Sequence, residues 1–534
     1  MSTGVIRRSK GCLTCRKRRI RCDQKHPVCE RCTKRRVPCV YGEGPTKFVD
    51  ERPRLEAKAA AIQLEHSPQS LEKLHSEPVI IFKSPSPLSL PDQLPLGGQE
   101  EQIYLSFLNY KPILGPNHQS NTLIYGSHNP VSSFSNDSAV LLSVQTLAAA
   151  YYGRIHHQDR ITHRARQLYG RALESLSREI ADSDSHSNAQ LLSSIVALTL
   201  YEMLTFQAAT GWVQHAGGLA RLLEVLGPKY VQKGHGKLIY EFARSTIIWQ
   251  CLISRQPCFL EREEWKTVPY EFEPQTASSY FHLSNVMASL PRIVMETEEL
   301  IRLRGTKEYI STLERLRHEV PETLQKLYIW RWHWEADYGD CVYSILPSGN
   351  ITQAYDDDGH PLFDSLIWYS NLDRANDIVY YNTALILFRY VHAELSIPER
   401  PAPPLPTGLF PRQPTTSSVL FLPGQAKTNQ DCSQEICRSI DYHLLPLHGG
   451  PGTLNVLGPC RFAWTGLVPG SNVARWLEGV CQEIADNSGF EMGRYMTASR
   501  SFLLRHFAVP TNPTLRIPDT ASVREARPIV PIWK

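Results

Sequence analysis

Cys12, Cys15, Cys22, Cys29, Cys32 and Cys39 carry the clearest chemistry in this 534-residue chain. Their spacing, C-x2-C-x6-C-x6-C-x2-C-x6-C, makes the second half of the pattern a repeat of the first. Thiolates are preferred zinc donors, and a structural zinc takes four ligands in a tetrahedron. Two separate four-thiolate sites would need eight cysteines. Six therefore predict two zinc ions that share two thiolates. Metal binding would supply the folding energy of a segment too short to bury a core. A disulfide framework is the weaker reading. MSTGVIRRSKGC, at the N-terminus, has no apolar stretch after its basic residues and so no secretory signal, and reducing compartments keep thiols free for metals. The other seven cysteines are scattered, none in a CxxC, and read as small buried apolar residues.

Basic residues are interleaved with these thiols. Residues 1–50 hold 14 Lys and Arg against 4 Asp and Glu, whereas the whole chain is only +4. The remainder is therefore mildly acidic, and only the head seeks an anionic partner. RKRRIR at 16–21 would start at a metal-bound turn and form a short helix with its basic side chains outward. TKRRVP at 33–38 is its counterpart, ended by Pro38. Arg16, Lys17, Arg18, Arg19, Arg21, Lys34, Arg35 and Arg36 would present a basic surface to nucleic acid. The same basic runs, with Arg7, Arg8 and Lys10, suit nuclear import.

The run CLTCRKRRIRCDQKHPVCERCTKRRVPC, residues 12–39, resembles the fungal Zn(II)2Cys6 binuclear-cluster transcription factors without a gap, Pro27 included. The resemblance implies that Cys12 and Cys29 bridge the two zincs. Cys15 and Cys22 would complete one site, and Cys32 and Cys39 the other. It also implies that the first helix enters the major groove of a CGG-type triplet with Arg18 and Arg19 at the base-reading positions. Arginine can address G O6 and N7 in a bidentate manner. Arg16, Arg21, Lys34, Arg35 and Arg36 would then contact phosphates, which position the module without specifying sequence.

The elements that would carry and regulate such a head follow in order. Residues 1–43 read as the DNA-binding domain and 44–98 as a flexible linker, because SPSPLSLPDQLP at 84–95 sustains neither helix nor central strand. Within the linker, 54–66 is helix-prone but spans less than two heptads. Residues 99–508 read as an all-α regulatory domain, and 509–534 as an extended tail. Apolar residues at 161, 165, 168, 169, 172, 173, 176 and 180 form an amphipathic stripe. Further helices are expected at 212–226, stopped by Gly227 and Pro228, at 238–253, at 306–320 broken by Pro321, at 368–395, and at about 429–442, 471–486 and 490–506. No sustained strand pattern is present. The run 191–204 is too short for a bilayer, is interrupted by Glu202, and reads as a buried helix. Eight prolines between 396 and 426 mark a surface insertion or an unstructured loop. GWVQHAGGLARLLEVLGP at 211–228 and the run 244–265, where a helix ends in SRQPCFLEREEW, resemble the fungal-specific transcription factor domain, which implies a helical module that tunes the zinc cluster.

The body shows no GxSxG, P-loop or HExxH and is not expected to be an enzyme. His156, His157 and His163 read as a solvated helix end. Asp356–Asp358 with Gly359 lacks the alternating ligands of a calcium loop and reads as an acidic turn. Trp330, Trp332 and Trp334 read as core before pocket. The acidic–aromatic stretch 261–274 reads as a folded connection before an activating surface. The expected partners are double-stranded DNA, a second copy of the chain, the transcription machinery or co-regulators, and a small-molecule effector, with no membrane. The expected site of action is the nucleus. A second reading makes the helical body a small-molecule sensor or partner-docking module, with DNA targeting secondary.

Overall fold

A computed structural model describes residues 12, 14–15, 18, 20, 22–25, 29–35, 37 and 39 of the head. In the body it describes residues 99–498, apart from 115–136, 182–186, 209, 301, 348–351, 353, 357, 399 and 405–418. The expected linker, its helix-prone segment and the tail lie outside the described residues. The chain divides into an N-terminal unit and a C-terminal unit, each taken by itself.

In the head, Thr14 and Cys15 are helical, and the Arg18 and Ile20 amides donate to the Thr14 and Cys15 carbonyls at 3.2 and 3.1 Å. The second half forms α1, Glu30–Lys34. Its start is capped from outside, because the Glu30 amide donates to Asp23 Oδ2 at 3.1 Å. A carboxylate at a helix start satisfies an otherwise orphaned donor. The packed centre of the head consists of Cys12, Cys15, Cys29 and Cys32, with Val37 and the two remaining cysteines against them.

The body begins with α2 (Gln99–Tyr110), α3 (Ala139–Ile155), α4 (Asp159–Ala181), α5 (Asn188–Thr205) and α6 (Gly211–Leu226). The α4 stripe falls as expected: Ile161, Ala165, Leu168, Ala172 and Leu176 are buried, while the interleaved Arg166, Arg171 and Arg178 are exposed. Leu173 ends up on the surface. The apolar run 191–204 lies in α5, which is buried without a break from Leu192 to Thr205. That pattern suits a helix enclosed on all sides. Helix α3 packs between α4, α5 and α2, and α5 packs on α6. Gly227 stops α6 at a φ of 77°, in the region that favours glycine.

The next elements are α7 (Gly234–Ser254), α8 (Glu263–Thr267), α9 (Ser279–Met287), α10 (Leu290–Glu299) and α11 (Lys307–Tyr338). Helix α11 corrects the expected break at Pro321, since it runs through that residue. A proline inside a helix costs about 3 kcal/mol. Beyond it, Leu324, Leu327, Trp330 and Trp334 are buried, and their packing offsets that cost. The acidic–aromatic stretch is a folded connection of short turns with Trp265 and Tyr270 buried.

The all-α expectation needs one amendment. β1 (Val342–Ile345) pairs antiparallel with β2 (Leu366–Tyr369), with Val342 opposite Tyr369. The helix expected from 368 therefore starts later, as α12 (Leu372–Glu394), where the Asn371 side chain accepts the Arg374 amide. Its interior is buried on nearly every side, against α9, α10, α11, α13 and α14. α13 (Asn429–His443), α14 (Gly449–Gly466) and α15 (Asn472–Ser488) follow. The expected helix at 490–506 is a 3-10 turn, Glu491–Tyr495, in its described part. Where the proline-rich region closes, Leu420 is buried and the Phe421 amide donates to Glu435 Oε2 at 2.8 Å. Among the described residues no helix is long and apolar enough to cross a membrane.

Candidate metal centre and nucleic-acid interface

The helical turn at Thr14–Cys15 and the start of α1 bring two CxxC pairs together. Cys12 Sγ lies 3.8 Å from Cys29 Sγ and 3.8 Å from Cys32 Sγ. Cys15 Sγ lies 3.7 and 4.0 Å from the same two sulfurs. Zinc–thiolate bonds of about 2.3 Å in a tetrahedron place sulfurs about 3.8 Å apart. The spacing thus fits zinc–thiolate coordination.

Cys22 and Cys39 take equivalent places at the two ends. The Cys12 amide donates to Cys22 Sγ at 3.5 Å, and the Cys29 amide donates to Cys39 Sγ at 3.4 Å. Each pair is ten residues apart, so the repeat in sequence is also a repeat in space. Cys22 Sγ, the Asp23 carboxylate and Cys29 Sγ form a second close group. The Cys15 amide donates to Cys12 Sγ at 3.4 Å, and the Gln24 amide donates to Cys22 Sγ at 3.4 Å. Gln24 reaches that position with a positive φ of 61°.

The electrostatics require a cation. The four central sulfurs are shut off from water by one another. That burial pushes the Cys15 thiol up to about 12 and raises Cys29 and Cys32 as well. Burial also works to raise Cys12, but the Cys15 amide and the neighbouring thiols outweigh it and lower Cys12 to about 6. All four can ionise together only beside a positive charge.

Around this centre, Arg18 is half-buried, whereas Lys34 and Arg35 are exposed on and just after α1. Arg16, Lys17, Arg19, Arg21 and Arg36 lie outside the described residues. Lys25 is engaged in an ion pair with Glu30 and is not part of the open basic set.

In the body, the other candidates resolve into structure. His156 and His157 are exposed after the end of α3, and His163 is exposed on α4. Asp356 Oδ1 accepts the Asp358 and His360 amides at 3.0 and 2.8 Å, which closes an acidic turn. The three tryptophans point to different partners. Trp330 donates to the Ser279 carbonyl, Trp332 to the Pro403 carbonyl and Trp334 to Asp377 Oδ2. Trp212 is buried, and His215 meets the Tyr169 hydroxyl at 2.9 Å. Burial lowers His215 to about 4, so it sits there as a neutral ring. Sequence reasoning missed a cavity bounded by α7, α12 and α14, because its lining comes from residues hundreds of positions apart.

Residues 10–47 match the fungal Zn(2)-Cys(6) binuclear cluster domain, and residues 117–331 match the fungal specific transcription factor domain. An uncharacterised protein of Emericella nidulans is 28% identical over 174 residues, which cover 31% of this chain and 37% of that protein. Sterol uptake control protein 2 of Candida albicans is 51% identical over 39 residues, 7% of this chain and 6% of that protein. Transcription activator AMTR1 of Alternaria alternata is 46% identical over 39 residues, 7% of this chain and 5% of that protein. The aligned segments thus span little more than a third of these relatives at most. No solved structure matches. The metal of the head is zinc, as two ions. The chain therefore carries a fungal Zn(2)-Cys(6) binuclear cluster domain followed by a fungal specific transcription factor domain.

Proposed function

We propose that this protein is a nuclear regulator of RNA polymerase II transcription, not an enzyme, and that it binds CGG-type triplets of double-stranded DNA through its zinc cluster. The observation that carries the reading is the close packing of thiols, with sulfurs 3.7–4.0 Å apart, inside a strongly basic segment. Cys12 and Cys29 are the bridging ligands of this reading. Cys12 Sγ lies 3.8 Å from both Cys29 and Cys32, and Cys15 Sγ lies 3.7 and 4.0 Å from the same two, so the four sulfurs are close enough to share metal, and the resemblance to the cluster family assigns Cys12 and Cys29 as the shared pair. Cys15 and Cys22 complete one site, and Cys32 and Cys39 the other. Zinc would supply the positive charge that lets the buried thiols ionise, and so would hold the head folded.

Arg18 and Arg19 would read guanine edges in the major groove. Arg16, Lys17, Arg21, Lys34, Arg35 and Arg36 would complete the basic contact surface, chiefly on phosphates. Residues 1–43 act as the binding domain, 44–98 as the connector, and 99–508 as the regulatory body. A second copy of the chain and co-regulators are its expected protein partners.

The test is zinc content and duplex binding of the full chain. Wild type should hold two zinc ions and enrich a triplet from a random duplex pool. Cys12→Ala should lose both properties, since both ions lose a ligand. Zinc-loaded protein that binds duplex DNA no better than metal-stripped protein would sink the proposal.

A further inference from the structure

The body encloses a cavity of about 420 Å³, within the range that small-molecule sites occupy. It is bounded by α5, α6, α7, the start of α12, α14 and the turn at Glu491–Tyr495. The Trp249 ring is part of its lining. That ring stacks on Phe462 at 5.2 Å between centroids and 27° between planes, and on Tyr380 at 6.2 Å and 29°. Gly458 faces the indole from α14, and a Cβ built there would lie 3.6 Å from Trp249 Nε1. Any larger side chain at 458 would fill the space above the ring. Met203, Met492 and Met496 also line the cavity, which is half of the six methionines in the chain. Thioethers are polarisable and adapt to the outline of a ring.

The polar lining defines the chemistry. Of its four charged members, three are engaged, although Arg374 Nη1 makes an ion pair without a hydrogen bond, and the fourth, Asp373, is exposed. Arg374 lies 3.2 Å from Asp377 Oδ2 and 3.9 Å above the Tyr338 ring. Arg461 donates to the Met496 carbonyl at 3.1 Å, and Glu241 accepts from the Tyr270 hydroxyl. Two neutral lining groups are left with a buried atom that has no hydrogen-bond partner, the Tyr280 hydroxyl and Asn376 Oδ1. An unmet buried polar atom costs free energy that a ligand donor recovers. Both accept a hydrogen bond, and neither carries charge.

We propose that this cavity binds a neutral, largely apolar, ring-bearing small molecule that packs against Trp249 and the methionines and donates a hydrogen bond to Tyr280 or Asn376. The binding site does not depend on what the head recognises. Only the ligand's role as an effector rests on the regulator reading.

The experiment titrates full-length, zinc-loaded protein with N-phenyl-1-naphthylamine, a neutral three-ring aromatic probe with one N–H. Saturable fluorescence enhancement with one site per chain is expected. Gly458→Leu should weaken binding at least tenfold, whereas Gly458→Ala should bind within about twofold of wild type. Tyr280→Phe should weaken it severalfold. If Gly458→Leu does not fold, Ser245→Phe fills the same space and carries the comparison. Removal of zinc with a chelator disables the head and should leave probe binding unchanged, so the two proposals fail separately. Non-saturable binding to wild type, equal affinity in a folded filling variant, or probe binding lost with the zinc would each overturn the assignment.

Discussion

Gly452→Ala should destabilise the body even though alanine is the better helix former. Gly452 lies in α14, where a Cβ would stand 2.0 Å from the His443 carbonyl oxygen and 2.9 Å from His448 Cβ. The first neighbour is backbone, held by the end of α13, and cannot turn aside. Bringing that contact to an ordinary separation requires a displacement of more than 1 Å in a close-packed interior. Overpacking of this kind costs about 1–3 kcal/mol, and the very close backbone neighbour puts it at the upper end. Replacing a helical glycine with alanine returns about 1 kcal/mol. The expected net loss is about 2 kcal/mol. Gly479 in α15 is the control, since a Cβ there meets nothing within 4 Å. Gly479→Ala should therefore show only the propensity gain, about 0.5–1 kcal/mol. Urea unfolding of the full chain, followed by far-UV circular dichroism, reads both. A Gly452→Ala protein as stable as wild type would refute the close-packing argument.

Three further outcomes are expected. Thr428→Ala removes the capping box of α13, in which Asp431 and Thr428 exchange hydrogen bonds at 3.1 and 2.9 Å. It should cost about 1 kcal/mol in the same urea assay. His443 is fully buried and lowered to about 4 by burial, with His448 nearby and Nδ1 donating to the Ser439 carbonyl at 2.9 Å. A depressed histidine stabilises the fold when neutral, so its contribution is present above pH 6.5 and fades as pH falls towards 4. The loss should approach about 3 kcal/mol, and His443→Gln should flatten the stability–pH profile over that window. In DNA titrations across salt concentrations, Lys34→Ala should weaken all duplexes alike and lower the salt slope by about one unit, while Arg18→Ala should cost about 1–3 kcal/mol and relax triplet preference.

The head was legible because ligand chemistry is local. Six cysteines at fixed spacing announce a metal whatever surrounds them, and the residues from 12 to 39 carry their own geometry. Helix α4 was legible because half of it faces water, which leaves an amphipathic stripe in the sequence. Other features depend on distant partners. The β1–β2 pair joins four-residue strands through contacts such as Val342 with Tyr369, too short and too far apart to show a period. Pro321 looked like a helix end because its local cost is visible, whereas the buried face beyond it is not. Trp330, Trp332 and Trp334 read as core despite their alternation, and all three are buried. On a helix a two-residue step turns about 200°, so neighbours in that pattern face opposite sides.

Helix α14 shows what the sequence could not show and why it matters. Its segment, GGPGTLNVLGPCRFAWTG, contains helix-weakening residues at Gly450, Gly452, Gly458 and Pro459. Relative to alanine these cost about 6 kcal/mol together. No isolated segment of this composition would hold a helix, so contacts with α12, α13 and α15 must impose it. The same glycines state the reason for the composition. At 450 and 452 the absent side chains let the backbone approach Ile113 and His443 closely, where a Cβ would meet atoms at 2.8 and 2.0 Å. At 458 the absent side chain opens the space over Trp249. One helix thus trades its own propensity for a tight joint at one end and an empty volume at the other. Because neighbours rather than its own sequence hold it in place, a molecule packed against Trp249 would add to the contacts that fix it.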